Sequence, residues 1–264
     1  HEGLVEAIQN YLSQTHQTDV ASEEIIHLPG MVMALSLACR GLLEPGDQVM
    51  INSPVYYPFF KVPADAQADV LKVPFTRDEI TWRFDWDAMQ AAITPRTRML
   101  FLCNPQNPLG RAFSETEILQ VADFCEHHDL ILISDEIHCD LILEPDQPHF
   151  SALRLPDSFQ KRLITLMAPS KTYNIAGLGY SFAVIKDAEL RRKFQAARGC
   201  TVPEINALAM YAAETAYRDG EPWRQDLIEY LRGNRDVLAE YVRSEMPMLK
   251  IHEHAATYLY WFDC

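Results

Sequence analysis

Three side chains with distinct chemistry, an amide, a carboxylate and an amine, each come shortly after an apolar run of the sequence. Asn107 follows the run at residues 99–103, Asp135 follows the run at 130–133, and Lys171 follows the run at 163–166. Asp135 lies 28 residues after Asn107, and Lys171 lies 36 residues after Asp135. Each interval is long enough for a crossover and a return strand. If the runs are parallel strands, the three side chains meet at one edge of a sheet, where ligands of such sheets bind.

An amine, a carboxylate and an amide at one edge suit a cofactor that is a pyridine aldehyde. Lys171 would form a Schiff base with the aldehyde and act as the catalytic residue. Asp135 would keep the ring nitrogen protonated, so that the ring accepts electrons from a carbanion. Asn107 would donate a hydrogen bond to the ring hydroxyl. The spacing therefore predicts a covalent cofactor site.

A phosphate group on this cofactor would need backbone N–H donors at the start of a helix. Gly30, Met31 and Val32 open a predicted apolar helix and would supply them, with Ser170 as a hydroxyl donor. Tyr56 follows another strand and would stack on the ring. His138, three residues after Asp135, is also expected among the cofactor-binding residues.

Each of these residues also has an ordinary structural interpretation. Asp135 suits a helix cap, Asn107 suits a turn, and a lone lysine is most often a solvated surface side chain. Tyr56 suits packing, and His138 suits a half-buried histidine whose hydrogen bonds are satisfied. The order, spacing and strand-end placement of the set favour the functional interpretation.

The elements that must position these residues alternate between strand and helix. Predicted strands cover residues 48–52, 70–73, 99–103, 130–133, 163–166 and 182–185. Their nearly continuous apolar character is typical of strands covered on both faces. Helical patterns cover residues 31–43 and 114–128, the second with Ser114 and Glu117 as a capping box. The alternation predicts an α/β fold, a mostly parallel sheet with helices on both faces.

A long charged helix over residues 223–245 is the candidate link to a second domain. We predict a large cofactor-binding domain over residues 1–222, and over 223–264 the linking helix and the start of a smaller α+β domain. The first residues resemble the middle of a helix and the last resemble a strand. We therefore expect parts of both domains to lie outside the chain.

The composition limits the classes of partner. The 264 residues carry a formal net charge of −14, which argues against a nucleic-acid partner. The sequence contains no long uncharged apolar stretch, so a membrane span is not expected. The six cysteines contain no CxxC pair and are interpreted as buried thiols of a reducing, cytoplasmic compartment without a metal site. They are Cys39, Cys103, Cys125, Cys139, Cys200 and Cys264.

Three segments together make nearly the whole chain resemble the fold-type I, pyridoxal 5'-phosphate (PLP)-dependent class I/II aminotransferase family. They are Asn-Pro-Gln-Asn-Pro-Leu-Gly-Arg at 104–111, Ser-Asp-Glu-Ile-His-Cys-Asp at 134–140 and Ser-Lys-Thr-Tyr-Asn-Ile-Ala-Gly at 170–177. The resemblance implies the same roles for Lys171, Asp135 and Asn107. It implies a phosphate site at residues 30–32, Tyr56 over the ring, and a homodimer whose active sites form between two subunits.

Within this family, the cystathionine β-lyase branch of C–S lyases looks most similar. His138 stands where aspartate-type transaminases carry a tyrosine, Gly179 where they carry an arginine, and Ala168 where a serine is common. The resemblance implies α,β-elimination on cystathionine or cysteine-like amino acids, which yields pyruvate, ammonia and a thiol. The alternative is an aminotransferase that passes the amino group to a 2-oxo acid. The residue that binds the substrate carboxylate is expected beyond Cys264.

Overall fold

The computed structural model describes residues 1–78, 81–200 and 202–263, so Cys264 lies outside the described residues. The helices are α1 (Glu2–His16), α2 (Met31–Leu42), α3 (Trp86–Ala92), α4 (Glu115–His127), α5 (Ala188–Ala196), α6 (Ala207–Asp219) and α7 (Glu221–Glu245). The first six strands are β1 (Ile25–Leu28), β2 (Gln48–Ser53), β3 (Asp69–Pro74), β4 (Thr76–Arg77), β5 (Trp82–Arg83) and β6 (Thr97–Cys103). The others are β7 (Ile131–Asp135), β8 (Leu163–Met167), β9 (Ser181–Val184), β10 (Lys250–Ile251) and β11 (Phe262–Asp263).

A seven-stranded sheet forms the centre of the molecule, in the order β1-β9-β8-β7-β6-β2-β3. The neighbours from β8 to β3 pair in parallel, whereas β9 is antiparallel to both β8 and β1. Because β9 is antiparallel to both of its neighbours, β1 runs in the same direction as β8. The predicted α/β fold with a mostly parallel sheet is confirmed.

Both faces of the sheet are covered by helices. Successive residues of β6 alternate between the faces: Met99 and Phe101 pack with α2 and α5, and Leu100 and Leu102 pack with α3 and α4. This alternation is the period-2 geometry of a strand. It explains why the central strands read as continuous apolar runs, since both faces are dry.

Three points of the sequence interpretation need correction. The run at 70–73 was expected to be covered on both faces, but β3 is the edge strand and most of its residues are exposed or half-buried. Strand β1, whose sequence is Ile-Ile-His-Leu, was not predicted, because four residues carry too little periodicity to separate a strand from a helix. Cys200 is exposed, contrary to the interpretation of the cysteines as buried thiols, whereas Cys39, Cys103, Cys125 and Cys139 are buried and free.

The helices begin where the sequence predicts. Ser114 and Glu117 form the expected capping box of α4: Ser114 Oγ accepts from the Glu117 N–H at 3.3 Å, and the Glu117 carboxylate accepts from the Ser114 N–H at 2.9 Å. Helix α7 starts at Glu221, close to the predicted residue 223, with Pro222 in its first turn. Among the described residues, none of the helices combines the length and apolar character needed to cross a membrane.

Candidate active site

A cavity of about 220 Å³ lies at the carboxyl edge of the central sheet. All nine residues predicted for the site line it: Gly30, Met31, Val32, Tyr56, Asn107, Asp135, His138, Ser170 and Lys171. The strand order explains this convergence. The neighbouring strands β2, β6, β7 and β8 run in parallel, so the segments that follow them emerge side by side. Strand β1 runs the same way, and residue 30 therefore reaches the same edge.

Asp135 ends β7 and is only 2% exposed. Its Oδ1 accepts a hydrogen bond from the Ile137 N–H at 3.1 Å. Burial raises the pKa of this carboxyl to about 7, because the Ile137 hydrogen bond and the Lys171 charge do not compensate for the loss of water. A buried carboxylate in this state is stabilised by a close cation. The protonated nitrogen of a pyridine ring would supply such a charge.

His138 lies in the same wall and is also 2% exposed. Burial, assisted by the positive charge of Lys171, lowers the pKa of His138 to about 4, so the imidazole is neutral at pH 7. Within the described chain its Nδ1 is buried without a hydrogen-bond partner. The structural interpretation of His138 as a satisfied histidine therefore does not hold, and a ligand in the cavity is the natural partner for the ring.

The start of α2 forms another wall of the cavity. Gly30 is the N-cap residue, and among the described residues no side chain caps the helix or adds an acidic group to its first turn. The first backbone N–H groups of the helix are thus free to bind an anion, with the positive end of the helix dipole behind them. The hydroxyl of Ser170 lies across the same cavity. These donors suit a phosphate group.

The conformation of Gly30 leads to a first prediction. Gly30 has a φ of 124°, and a Cβ added there would meet no atom within 4 Å. A Gly30→Ala substitution would therefore be strained but not blocked, so we expect it to cost about 1–3 kcal/mol of unfolding free energy and to weaken cofactor binding several-fold. Chemical denaturation and a cofactor titration measure both effects.

Gly233 provides the matched control for this substitution. It lies inside α7, and a Cβ there also meets no atom within 4 Å. Because alanine is the better helix former, Gly233→Ala should stabilise the protein by about 0.5–1 kcal/mol and leave cofactor binding unchanged. Equal behaviour of the two variants would contradict a special role for Gly30.

The sequence interpretation missed other residues of the cavity wall, namely Cys103, Ile137, Ala176, Gly179 and Tyr180. Cys103 ends β6, so the expectation that residues at the ends of the strands line the site could have identified it. Gly179 has a φ of 67°, a left-handed conformation that favours glycine. The arginine found in aspartate-type transaminases is thus replaced by a residue that contributes backbone alone.

A larger cleft of about 800 Å³ lies elsewhere and contains none of the predicted site residues. Its wall includes Arg83, Arg111 and the start of α4. Arg111 is already paired with Glu117 at 2.9 Å, and the start of α4 is already capped by Ser114. The arginine and the helix start in this cleft thus already have partners, and the residues predicted for the site lie in the smaller cavity.

Comparison with known proteins gives the family. The profile described as "Aminotransferase class I and II" matches residues 1–264. The chain belongs to the class I and II aminotransferase family. The chain is 35% identical to cystathionine beta-lyase PatB of Bacillus subtilis over 260 residues, 98% of this chain and 67% of PatB.

Solved structures of family members agree with the fold. The crystal structure of OvoB has a TM-score of 0.96 and 37% identity, covering 100% of this chain and 69% of that one. The PLP-containing structure of cystalysin from Treponema denticola has a TM-score of 0.95 and 30% identity, covering 100% and 67%. The chain therefore spans about two thirds of the length of these relatives.

The comparisons confirm the predicted family, the prediction of an enzyme and the predicted cofactor. The protein is a PLP-dependent enzyme, and PLP is its cofactor. Proteins similar to this chain include some named cystathionine beta-lyase or C-S lyase, in agreement with the predicted function. Others are named aminotransferases. The groups in the cavity fit PLP, because a buried carboxylate, an uncapped helix start and an amine match its ring nitrogen, phosphate and aldehyde.

Proposed function

We propose that the protein is a C–S β-lyase that acts on cystathionine or cysteine-like amino acids. The observation that carries this proposal is the meeting of Lys171, Asp135 and neutral His138 in one cavity of a chain 35% identical to a cystathionine beta-lyase. An aminotransferase is the second candidate, since an aspartate aminotransferase is 31% identical over 244 residues.

The residues of the cavity would divide the work as follows. The N–H groups of residues 30–32 and the Ser170 hydroxyl would hold the phosphate of PLP, Tyr56 would cover the ring, and Asn107 would donate to the ring hydroxyl. Asp135 keeps the ring nitrogen protonated. When bound, PLP supplies an electron sink for negative charge that develops at the substrate α-carbon.

Lys171 would move the proton that starts the elimination. Its amine, freed when the substrate amine takes its place, would take the proton from the α-carbon. The electron pair of that C–H bond forms a double bond between the α- and β-carbons, and the β-carbon–sulfur bond breaks with its electrons on the thiolate. The released aminoacrylate reacts with water to give pyruvate and ammonia.

The lyase and the aminotransferase differ in their need for an acceptor. We expect the protein to form pyruvate from cystathionine without any 2-oxo acid, in amounts equal to the ammonia released. A lactate dehydrogenase assay for pyruvate, run with and without added 2-oxoglutarate, measures this. Amino-group transfer that strictly requires the oxo acid would establish the aminotransferase instead.

We also propose the remaining features expected from the sequence. Residues 1–222 would form the PLP-binding domain, and 223–264 would begin the smaller one. Ile228 of the long α7 packs on Leu141 and Leu143, which attaches the linking helix to the larger domain through a small cluster outside the sheet cores. We propose a cytoplasmic homodimer with an amino acid as substrate. The buried free cysteines favour a reducing compartment.

A further inference from the structure

The turn that follows β7 has two different sides. Asp135, Ile137 and His138 line the cofactor cavity, whereas Glu136 and Asp140 do not. Both of these acidic residues are nevertheless almost completely buried, at 0% and 4% exposure. Buried carboxylates are costly unless they are paired or hydrogen-bonded, so their contacts need an explanation.

The Glu136 carboxylate is held by three hydrogen bonds. It accepts from the Ser134 hydroxyl at 2.9 Å and from the Ala152 N–H at 2.8 Å, and it lies 2.8 Å from Nε2 of His149. Burial alone would raise its pKa, but the charge and hydrogen bond of His149 lower the pKa of Glu136 overall. Glu136 is therefore an ionised anchor directly after Asp135.

The Asp140 carboxylate is held by α1. The Tyr11 hydroxyl donates to Asp140 Oδ1 at 2.8 Å, across 129 residues of sequence. The same hydroxyl lies 2.9 Å from His16 Nε2 and 3.4 Å from Cys139 Sγ. Donor atoms of His16, Cys139 and Asp140 come within 4.8 Å of one another, as in a metal site. The Tyr11 hydroxyl contacts all three residues, whereas Oδ2 of Asp140 is buried without a described hydrogen-bond partner.

The two anchors are joined to each other. The rings of His16 and His149 meet edge to face with centroids 5.6 Å apart. The loop that carries His149 thus contacts the start of the turn at Glu136, and helix α1 contacts its end at Asp140. By contrast, the described hydrogen bond to the Asp135 side chain comes from within the turn itself, from Ile137.

We propose that Glu136 and Asp140 are positioning residues of the PLP site. Held by His149 and Tyr11, they fix the turn so that Asp135 and His138 face the cavity. This inference rests on the proposed function only in taking Asp135 as the partner of the PLP ring.

The test uses the PLP-loaded protein with Tyr11→Phe, His149→Leu and His149→Gln. Tyr11→Phe removes the described donor to the Asp140 carboxylate, and His149→Leu removes one of the three hydrogen bonds to Glu136. We expect each to raise the PLP dissociation constant and to lower kcat by roughly tenfold. KM should stay within about twofold, because substrate contacts are retained. His149→Gln keeps an N–H near the position of Nε2, so it should restore most of both losses. Tyr230→Phe, at an exposed residue of α7, is the control and should match wild type.

Unchanged PLP affinity and kcat, with only a lower Tm, would overturn the proposal and leave these contacts a purely structural role. A His149→Gln variant as impaired as His149→Leu would also overturn it. If His149→Leu does not fold, Ser134→Ala removes another donor to Glu136 and should weaken PLP binding about threefold. A wild-type protein that forms no pyruvate would refute the proposed lyase, whereas the PLP dissociation constants would still test the positioning role.

Discussion

Replacement of Lys171 by alanine is expected to abolish turnover and the visible absorbance of covalently held PLP. The amine is both the attachment point of the cofactor and the base that takes the α-proton. General acid–base groups contribute about 10²–10⁴ to rate, so the loss of this role alone should lower kcat at least about a hundredfold. Pyruvate formation and an absorbance spectrum of the purified protein measure the two losses.

Lys161 provides the control for this variant, because it is exposed and lies just before β8. Lys161→Ala should keep the wild-type spectrum and rate. A Lys171→Ala protein that retains covalent PLP and turnover would show that another amine carries the chemistry, and the proposed site would be wrong.

The second large effect is expected at Asp135, where Asp135→Asn removes the charge with little change in shape. The ring nitrogen would lose its anionic partner, so negative charge at the substrate α-carbon would be less stabilised. Loss of one such electrostatic contact typically costs about 10²–10³ in kcat. Steady-state kinetics measures this loss, and unchanged kcat would exclude Asp135 as the ring partner.

In the cofactor-free protein, Asp135→Asn should increase the stability of the fold, although it lowers kcat in the PLP-loaded protein. Burial raises the pKa of Asp135 from 3.8 to about 7. The folded state therefore holds this proton more tightly than the unfolded state, and wild type loses stability as pH rises from about 4 to about 7. Asparagine carries no such penalty.

Cofactor-free Asp135→Asn is thus expected to be more stable than wild type at pH 8, by up to about 4 kcal/mol. At pH 4 the two should be nearly equal. Denaturation at both pH values, after removal of PLP, measures the difference. A gap that is as large at pH 4 as at pH 8 would show that the effect does not come from ionisation of Asp135.

Much of the site was predictable because the signals are local. Each central strand is an apolar run that ends in polar residues, and the parallel arrangement brings those ends to one edge. Asn107, Asp135 and Lys171 were therefore expected together, and all three line the cavity. The capping box of Ser114 and Glu117 is local in the same way, since its partners are three residues apart.

The features that were missed depend on contacts between distant parts of the chain. Periodicity shows which face of a strand is apolar, but it does not show which strand lies at the edge, so the exposure of β3 was not predicted. The contact of Tyr11 with Asp140 likewise joins α1 to a turn 129 residues away.

The sequence by itself determined the alternation of strands and helices, the family and the residues at the cofactor edge. Only the tertiary structure decided how deeply Asp135 and His138 are buried, and hence that one is a carboxyl with a pKa near 7 and the other a neutral imidazole. The physical reason is that a side chain's type sets its ordinary pKa. The water and charges removed from around it depend on every element that packs against it.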